Sequence, residues 1–528
     1  MITGMIKPMG EEYLEYLRDE SRSVGTAESI AFPRTEEELA AILRQAYPQG
    51  VNITLQGART GLAAAAVPYG GLVLNLMKMN RVLGMRHDGN GRFYVSVEPG
   101  VILSQLKKRI ESKKLETAGW DDASIAAYKA FCDAPEQLLT PDPTEGSASI
   151  GGIVSCNASG ARSYLYGATR NHVTALRVML PDGGVIALRR GETFANGRHM
   201  TLVREDGQSL SFDLPTFSLP KTKNASGYYI ADNMDAVDLF IGSDGTLGVI
   251  TAVELALIPM PQTVWGVTCF LANDEMAVKF VNALRADVDM LSSIEFFNED
   301  ALELLRRQKA NNTAFAQLPE VDKRYGCAVF TEIHCNTEDE ALRRLFAVGE
   351  AMRRCGGDEN DTWVARNAAD RDRLYFFRHA IPESVNMRID QLKKADPSIT
   401  KLGSDMSVPD EYLGDIMALY RASLLENKLQ SAIFGHIGNN HLHVNILPGD
   451  GEEYKRGKAM FKQWAAVVTK MGGAVSAEHG VGKLKADFLT IMYGAKHIEE
   501  MAALKAVFDP KGTLGAGNLF TPRKEAAK

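Results

Sequence analysis

The segment from Phe434 to Asn445, FGHIGNNHLHVN, contains three of the chain's ten histidines. Asparagine readily adopts left-handed backbone angles, so Asn439 and Asn440 are predicted to form the two-residue turn of a β-hairpin. This turn places His436 directly opposite His443. Opposed side chains have Cβ atoms about 4.5–5.5 Å apart, which is close enough for two imidazoles to bind one ion.

The strand that follows this turn is predicted to have two different faces. Side chains of a strand alternate between its two sides, so His441, His443 and Asn445 share one face. Leu442, Val444 and Ile446 share the other face, and their apolar character predicts that it is buried. One face therefore carries the chemistry, and the other fixes the strand in the protein.

A second polar pair, Glu478 and His479, lies in the segment GGAVSAEHGVGK, where it is predicted to follow a turn and a strand. Two histidines need a further ligand, usually a carboxylate, to make a metal site that leaves a position open for a substrate. Two nitrogens and one carboxylate suit zinc first, with manganese or ferrous iron as alternatives. The competing interpretation is a solvated, histidine-rich turn that binds no metal.

The composition is that of an ordinary globular protein. The chain has 528 residues, 45% of them hydrophobic and 24% charged, so two or three domains are expected. Its net charge of −7 disfavours a generic nucleic-acid binder. The six cysteines include no C-x-x-C pair for an iron–sulfur cluster, which fits a reducing compartment.

No segment has the pattern of a secretory signal or of a membrane span. The N-terminal residues lack an uninterrupted apolar run, and no window approaches the roughly 18 apolar residues that a span needs. We therefore expect a cytoplasmic protein, with peripheral attachment to the inner face of the membrane left open. A homodimer is compatible with the sequence.

Local signals predict a mixture of helices and strands. Thr35 with Glu38 three residues later is typical of a helix N-terminus, and Asp182-Gly183 is typical of a hairpin turn. Between residues 109 and 140 the chain is polar and helix-prone, which suggests an insertion or a long connection. The order of the elements favours an α+β fold over a regular βαβ array.

Three glycine-rich loops are the next chemical signal. They lie at residues 55–68, 140–173 and 238–251, and each borders a predicted strand. Small side chains let backbone amides approach a phosphate closely, although a tight turn explains each loop equally well by itself. Together the loops indicate a dinucleotide that is held along its length.

The order of the motifs GARTGLAAAAVP, VEPGV, SIGG, NASGARSYLYGATRNHV and IGSDGTLGVIT resembles the vanillyl-alcohol oxidase and p-cresol methylhydroxylase family of flavoproteins. Within it, the sequence is most similar to FAD-linked D-2-hydroxyacid dehydrogenases, which act on D-lactate, glycolate or D-2-hydroxyglutarate. The resemblance runs from about Phe32 to the C-terminal FDPKGTLGAGNLF. It covers most of the chain.

This resemblance implies a two-part FAD-binding domain and a substrate or cap domain built on an antiparallel sheet with helices. The predicted parts are an N-terminal lead (1–31), the FAD-binding domain (32–260, with the insertion at about 109–140), the cap (261–480) and a C-terminal segment that returns to the FAD domain (481–528). Pro259 and Pro261 mark the boundary between the two main domains.

The resemblance also implies the residues that surround FAD. No histidine or cysteine near the loops can be matched to the covalent tether of some relatives, so we expect non-covalent FAD. The implied cofactor contacts are Gly57, Ala58, Arg59, Thr60, Gly61, Pro141, Asp142, Thr144, Ser149, Gly151, Gly152, Asn157, Gly160, Tyr166, Gly245, Gly248 and Ile250. Arg59 departs from the family, which has a glycine there. Its charge either approaches the pyrophosphate or points outward.

The same resemblance assigns roles around the hairpin. It implies His436, His443 and Glu478 as metal ligands and His479 as the general base. The implied substrate contacts are Arg378, Lys401, Asn445 and His441. His441 stands where the family has asparagine, and a fourth ligand, a residue beside the ligands and a substrate contact remain open for it. Pro382 replaces a threonine that binds substrate in some relatives.

The implied function is oxidation of a small D-2-hydroxy acid, similar to D-lactate, to the 2-oxo acid. Hydride passes to flavin N5, and a quinone, an electron-transfer flavoprotein or another non-nicotinamide carrier accepts the electrons. One alternative is a flavoenzyme without net redox chemistry that resembles alkylglycerone-phosphate synthase. The other is a metallohydrolase in which the glycine-rich loops are only structural.

Overall fold

The computed structural model describes residues 4–397 and 399–520. Its N-terminal half contains thirteen strands: β1 (Ile6–Pro8), β2 (Ser29–Ala31), β3 (Ile53–Gln56), β4 (Leu72–Asn75), β5 (Val82–His87), β6 (Phe93–Val97), β7 (Gln137–Leu138), β8 (Val173–Met179), β9 (Val185–Arg189), β10 (His199–Val203), β11 (Ser209–Asp213), β12 (Val249–Ala256) and β13 (Ile258–Pro259). The remaining strands are β14 (Thr263–Leu271), β15 (Leu291–Asn298), β16 (Cys327–Cys335), β17 (Thr362–Ala365), β18 (Leu402–Gly403), β19 (Met406–Ser407), β20 (Ser431–His436) and β21 (His441–Ile446).

The helices are distributed over both halves. They are α1 (Glu36–Ala46), α2 (Leu103–Glu111), α3 (Asp122–Asp133), α4 (Ile150–Ser155), α5 (Ser163–Tyr166), α6 (Val237–Phe240), α7 (Asp274–Asp287), α8 (Glu299–Asn311), α9 (Glu338–Arg354), α10 (Ala368–Ala395), α11 (Leu413–Glu426), α12 (Gly451–Lys470) and α13 (Ala486–Phe508). The predicted α+β class is confirmed. None of the described helices is long and apolar enough to cross a membrane.

The N-terminal half is built on two main sheets. One has the order β1-β2-β4-β3 and includes parallel pairs, and the other is the antiparallel sheet β5-β6-β12-β8-β9. The predicted cap of α1 is confirmed, because the Thr35 hydroxyl accepts a hydrogen bond from the Glu38 amide at 3.3 Å. The predicted boundary at residue 32 falls inside the first sheet, since β1 and β2 belong to it.

The polar stretch from 109 to 140 is integrated into the core of this half. It contains α3, which packs against β5 and buries Phe131 completely. The Trp120 indole N–H donates to the Val82 carbonyl at 2.9 Å. The hairpin predicted at Asp182-Gly183 is also present, because β8 and β9 pair on either side of it and Gly183 has a φ of 84°.

The second half is an eight-stranded antiparallel sheet with helices on both faces. Its order is β17-β14-β16-β15-β20-β21-β18, and β19 also pairs with β21. Helices α7, α9, α11 and α12 share one apolar core with the sheet, and α8 and α10 share another on the opposite face. Leu442, Val444 and Ile446 enter the first core as predicted. The histidine face of β21 therefore looks toward the side of α10.

The hairpin between β20 and β21 has a different register from the predicted one. His436 pairs with His441, and Phe434 pairs with His443, so the connection has four residues rather than two. Its first residues form a 3-10 turn, and only Asn440 takes left-handed angles, with a φ of 51°. The longer connection arises because Ile437 is fully buried in the core.

Arg285 of α7 holds this connection in place. Its guanidinium donates to the carbonyls of Ile437 and Gly438, at 2.8 and 3.0 Å from Nη2, and to the side chain of Asn440. A two-residue turn would remove the carbonyls from these donors and expose Ile437. Tertiary contacts thus override the local turn preference.

The C-terminal segment packs back on the first half of the chain. Lys505 of α13 is buried and donates to the carbonyl of Thr246 at 3.1 Å, to the carbonyl of Leu514 at 2.9 Å and to the carboxylate of Asp509 at 2.7 Å. Burial lowers the pKa of Lys505, while Asp509 opposes that shift. This ion pair ties the glycine-rich loop that contains Thr246 to the C-terminal segment.

We expect Asp509→Ala to destabilise the protein by about 3–5 kcal/mol, because it leaves the buried Lys505 ammonium without its counter-charge. Thermal unfolding of the holoenzyme at a fixed scan rate measures the effect. The matched control is Lys496→Met. Lys496 lies on α13 like Lys505, but 76% of its side chain is exposed. Equal unfolding midpoints for the two variants would contradict the assignment.

Candidate functional site

Three imidazoles and one carboxylate meet on the histidine face of the hairpin. His436 Nε2 lies 3.2 Å from Glu478 Oε2, and His443 Nε2 lies 3.2 Å from Glu478 Oε1. His441 also faces this carboxylate, and the four donor atoms lie within 4.8 Å of one another. The changed register keeps all three histidines together because His436 opposes His441 and neighbours His443 diagonally.

Glu478 does not follow a strand, in contrast to the prediction. Its segment is irregular, and the expected strand is reduced to a single bridge between Ala474 and Ser407. Asp405 holds the segment instead. The Asp405 carboxylate accepts hydrogen bonds from the backbone amides of Glu478 and His479, at 3.2 and 3.1 Å.

Glu295 was not predicted, yet it connects two parts of the site. It lies on β15, accepts from Arg378 Nε at 3.1 Å, and has its other oxygen 2.6 Å from His436 Nδ1. Burial raises the pKa of Glu295, but His436 and Arg378 lower it to about 2, so the group is a carboxylate near neutral pH. The one sequence feature that could have indicated Glu295 is its position as the single acidic residue of the strand segment LSSIEFFN.

Lys223 is the second site residue that the sequence did not predict. Its ammonium donates to Glu478 Oε2 at 2.6 Å, and both side chains are almost completely buried. Although burial raises the pKa of Glu478, His436, Lys223 and His441 together hold it well below its usual range. Lys223 lies 255 positions away from Glu478 in the sequence, so no local pattern links the two.

A cavity of about 490 Å³ opens onto this cluster. The predicted site residues that border it are His436, His443, Glu478, His479, Asn445, Arg378 and Lys401. Arg378 Nε donates a hydrogen bond to Glu295, and the two terminal nitrogens of Arg378 donate to none of the described residues. Burial lowers the pKa of Lys401, with a smaller contribution from Arg22. Aromatic side chains such as Phe297 line the remaining wall.

His441 is placed differently from the other predicted substrate contacts. Its side chain has no exposed area, and it does not border the cavity. Burial holds the pKa of His441 well below its usual range. His479, by contrast, borders the cavity with 26% of its side chain exposed.

A second cavity follows the glycine-rich loops. The predicted cofactor residues that border it are Gly57, Ala58, Arg59, Thr60, Gly61, Thr144, Ser149, Gly151, Gly152, Gly245 and Ile250. The backbone amides of residues 58–61 donate to no other described residue, and Arg59 has a left-handed φ of 62°. Such a run of free amides forms a nest for an anion like the FAD pyrophosphate.

The Arg59 guanidinium is directed away from this nest. It donates to the backbone carbonyl and carboxylate of Glu15 and lies 4.2 Å from the centre of the Tyr16 ring. The arginine therefore joins the first loop to the N-terminal segment. Its backbone conformation explains why glycine is the usual residue in the resembled family.

The other predicted cofactor residues lie outside the second cavity: Pro141, Asp142, Asn157, Gly160, Tyr166 and Gly248. Several of them have evident packing roles. A Cβ at Gly160 would lie 1.8 Å from the Asp142 carbonyl oxygen, and Tyr166 has its hydroxyl 2.6 Å from His334 Nδ1.

The hairpin cluster consists of His436, His441, His443 and Glu478. The two cavities meet at this cluster. Leu62, Thr144, Glu478 and His479 border both of them. A cofactor along the glycine-rich loops and a small molecule beside the histidines would therefore be neighbours. The arrangement suits transfer of a group or of electrons between the two ligands.

Two family models match the chain. The model described as "FAD binding domain" matches residues 27–128 and 123–189, and the model described as "FAD linked oxidases, C-terminal domain" matches residues 260–519. The fold is thus that of a flavoprotein with an FAD-binding domain of the vanillyl-alcohol oxidase type. The chain contains both matched domains of FAD-linked oxidases and is an oxidoreductase.

Named relatives cover nearly the whole chain at modest identity. A D-lactate dehydrogenase of Anaerostipes hadrus is 27% identical over 97% of this chain and 94% of its own length. A D-2-hydroxyglutarate dehydrogenase of Stutzerimonas stutzeri is 27% identical over 96% and 94%. The glycolate oxidase subunit GlcD of Bacillus subtilis is 26% identical over 95% and 90%.

Solved structures show the same fold at lower identity. The 4-ethylphenol oxidase from Gulosibacter chungangensis is 15% identical, with a TM-score of 0.66 over 98% of this chain and 95% of that one. An alkyldihydroxyacetonephosphate synthase is 14% identical, with a TM-score of 0.61 over 99% and 83%. These structures support the fold alone.

Gly61 gives a test of the FAD cavity. A Cβ at this position meets no heavy atom within 4 Å, so the protein itself has room for a side chain. We expect Gly61→Leu to fold but to raise the Kd for FAD by about tenfold or more, because the leucine occupies cofactor space. This change corresponds to a loss of about 1.4 kcal/mol or more of binding free energy. The flavin-to-protein absorbance ratio measures occupancy.

Gly61→Ala is the graded control, and we expect its FAD occupancy to lie between those of the wild type and Gly61→Leu. Thermal unfolding of the apoproteins checks that both variants fold. Full FAD occupancy in Gly61→Leu would show that the cofactor does not pass this loop.

Proposed function

We propose that the protein uses FAD to oxidise a small D-2-hydroxy acid, similar to D-lactate, to the corresponding 2-oxo acid. A divalent metal ion assists, and electrons leave to a non-nicotinamide acceptor such as a quinone or an electron-transfer flavoprotein. The observation that carries the proposal is the position of Glu478 and His479 on the border of both cavities. The names of the relatives, which include D-lactate and D-2-hydroxyglutarate dehydrogenases, support the substrate class.

Arg378 is the proposed anchor for the substrate carboxylate. Glu295 fixes its Nε side, so the two terminal nitrogens form a preoriented fork toward the cavity. A planar guanidinium matches a carboxylate in a bidentate way that an ammonium group does not reproduce. Lys401 and Asn445 border the same cavity and supply further donors.

The hairpin cluster fits a divalent ion by its donor set and spacing. His436 and His443 offer ring nitrogens and Glu478 offers a carboxylate, which suits zinc first and manganese or ferrous iron as alternatives. When bound, FAD supplies the hydride acceptor at N5, and the ion supplies positive charge that lowers the pKa of the substrate hydroxyl.

His479 is the proposed general base. It borders both cavities, and its Nδ1 lies 3.5 Å from a buried Asp405 oxygen, which helps to fix the ring. His479 Nε2 would accept the hydroxyl proton of the substrate, and FAD, when bound, would take the C2–H hydride. The reaction then balances as a 2-oxo acid, two-electron-reduced flavin and a protonated imidazole.

Anaerobic mixing of the holoenzyme with a panel of D- and L-2-hydroxy acids tests the function. We expect D-enantiomers to bleach the flavin absorbance with stoichiometric 2-oxo acid, and metal analysis of the same sample to find a divalent ion. A flavin that no hydroxy acid reduces would favour the non-redox synthase alternative. A colourless protein would favour the metallohydrolase.

His479→Ala tests the base. We expect the rate of anaerobic flavin reduction to fall by about 10²–10⁴-fold, which is typical of a lost general base, with FAD content unchanged. The matched control is His497→Ala, because His497 is equally exposed at 26%, pairs with Glu500 and borders neither of these cavities. Near-normal reduction by the best substrate would exclude His479 from this role.

Arg378→Lys tests the carboxylate anchor. We expect the apparent Kd for the hydroxy acid to rise by about 10–100-fold, since hydrogen bonds to charged groups contribute about 1.5–3 kcal/mol. The concentration dependence of the flavin reduction rate gives this Kd. Arg371→Lys on the same helix is the control, because Arg371 donates to the Val264 carbonyl and lies outside the cavity. An unchanged Kd would remove Arg378 from the anchor.

A further inference from the structure

His441 is arranged in the same way as the two histidines that are already proposed as metal ligands. His436 directs Nδ1 to Glu295 at 2.6 Å, and His443 has Nδ1 3.2 Å from the Ser404 carbonyl oxygen. Each of these rings thereby leaves Nε2 toward Glu478. Metal-binding histidines almost always give their second ring N–H to a carboxylate or a carbonyl in this way.

In His441 the two ring nitrogens have the reverse roles: Nε2 lies beside the outer carboxylate, and Nδ1 faces Glu478. Its Nε2 lies 2.9 Å from Asp405 Oδ1, although off the ideal hydrogen-bond axis, and its Nδ1 lies 3.8 Å from Glu478 Oε2. A carboxylate beside Nε2 favours the tautomer that keeps the proton there. The lone pair of Nδ1 then points into the cluster.

The Nδ1 atom of His441 is also buried without a hydrogen-bond partner among the described residues. An unsatisfied buried polar atom costs about 1–3 kcal/mol. A coordination bond to an ion between Glu478 and the three rings would satisfy it. Ligands at about 2.1 Å from an ion lie roughly 3–3.5 Å apart. The Glu478 oxygens lie 3.2 Å from His436 Nε2 and from His443 Nε2, and 3.8 Å from His441 Nδ1.

We propose that His441 is a fourth protein ligand, so that three imidazoles and one carboxylate bind the ion. This inference rests on the metal assistance in the proposed function and deepens it. His441 reaches the ion from the fully buried side, whereas His443 and Glu478 border the substrate cavity. A hydroxy acid in the cavity would therefore approach the ion from the side of His443 and Glu478, away from His441.

The first test counts the coordinated rings in the wild-type holoenzyme after its metal is exchanged for Co²⁺. Each ring bound through one nitrogen keeps one N–H, which gives one exchangeable, hyperfine-shifted proton resonance. We expect three such resonances, and two would overturn the inference. The measurement needs no substitution, so it decides the question even where a variant fails to fold.

The second test compares metal affinities by competition with a chromophoric chelator. We expect His441→Asn and His443→Asn each to lower Co²⁺ affinity by about 10–100-fold or more, because changes close to a metal already cost that much. His172→Asn is the matched control, since His172 is buried and its Nε2 donates to the Tyr166 carbonyl at 2.8 Å, outside the cluster. FAD content reports on folding.

The outcomes separate the two proposals. A wild type that binds no Co²⁺ overturns the metal assistance and the fourth ligand together. Wild-type binding with an unchanged affinity in His441→Asn and a weakened one in His443→Asn overturns the fourth ligand alone. Weakened binding in both variants, with three resonances in the wild type, supports the four-ligand site.

Discussion

The arrangement of the site depends on one buried carboxylate, Asp405. Its side chain has no exposed area, and it accepts hydrogen bonds from the backbone of Glu478 and His479 and from the hydroxyl of Ser476. Lys485 adds an ammonium donor. Burial alone raises the pKa of Asp405, but His479, Lys485 and His441 hold it well below its usual range. A fixed negative charge thus replaces the strand that would otherwise order this segment.

Asp405 can play this role because it lies between two short strands that pair with β21. The sheet therefore places it beside the histidine hairpin, and its hydrogen bonds bring the irregular segment of Glu478 to the same position. Glu295 does the equivalent on the other side, where one carboxylate orients both His436 and Arg378. Two buried acids thereby couple the proposed metal cluster to the carboxylate anchor and to the proposed base.

The division of the chain into two parts follows from this geometry. The first part supplies glycine-rich loops whose backbone suits a long cofactor, and the second supplies a rigid sheet whose side chains suit a small acid. Lys223 from the first part reaches Glu478 in the second, and Lys505 brings the C-terminal helix back to the first. Charged contacts therefore cross the junction between the two parts.

The sequence by itself determined the class of fold, the capped helix at Thr35 and the two faces of β21. These features depend on periodicity and on turn chemistry within a few residues, which the sequence displays directly. The family resemblance indicated a part of the lining of both cavities. The tertiary structure alone decided the hairpin register, because burial of Ile437 and the Arg285 contacts outweigh the preference of an Asn-Asn turn. It also decided the convergence of Lys223 and Asp405 on Glu478, the contacts of Glu295 with His436 and Arg378, and the orientation of His441. These contacts join segments that only the packed sheet brings together.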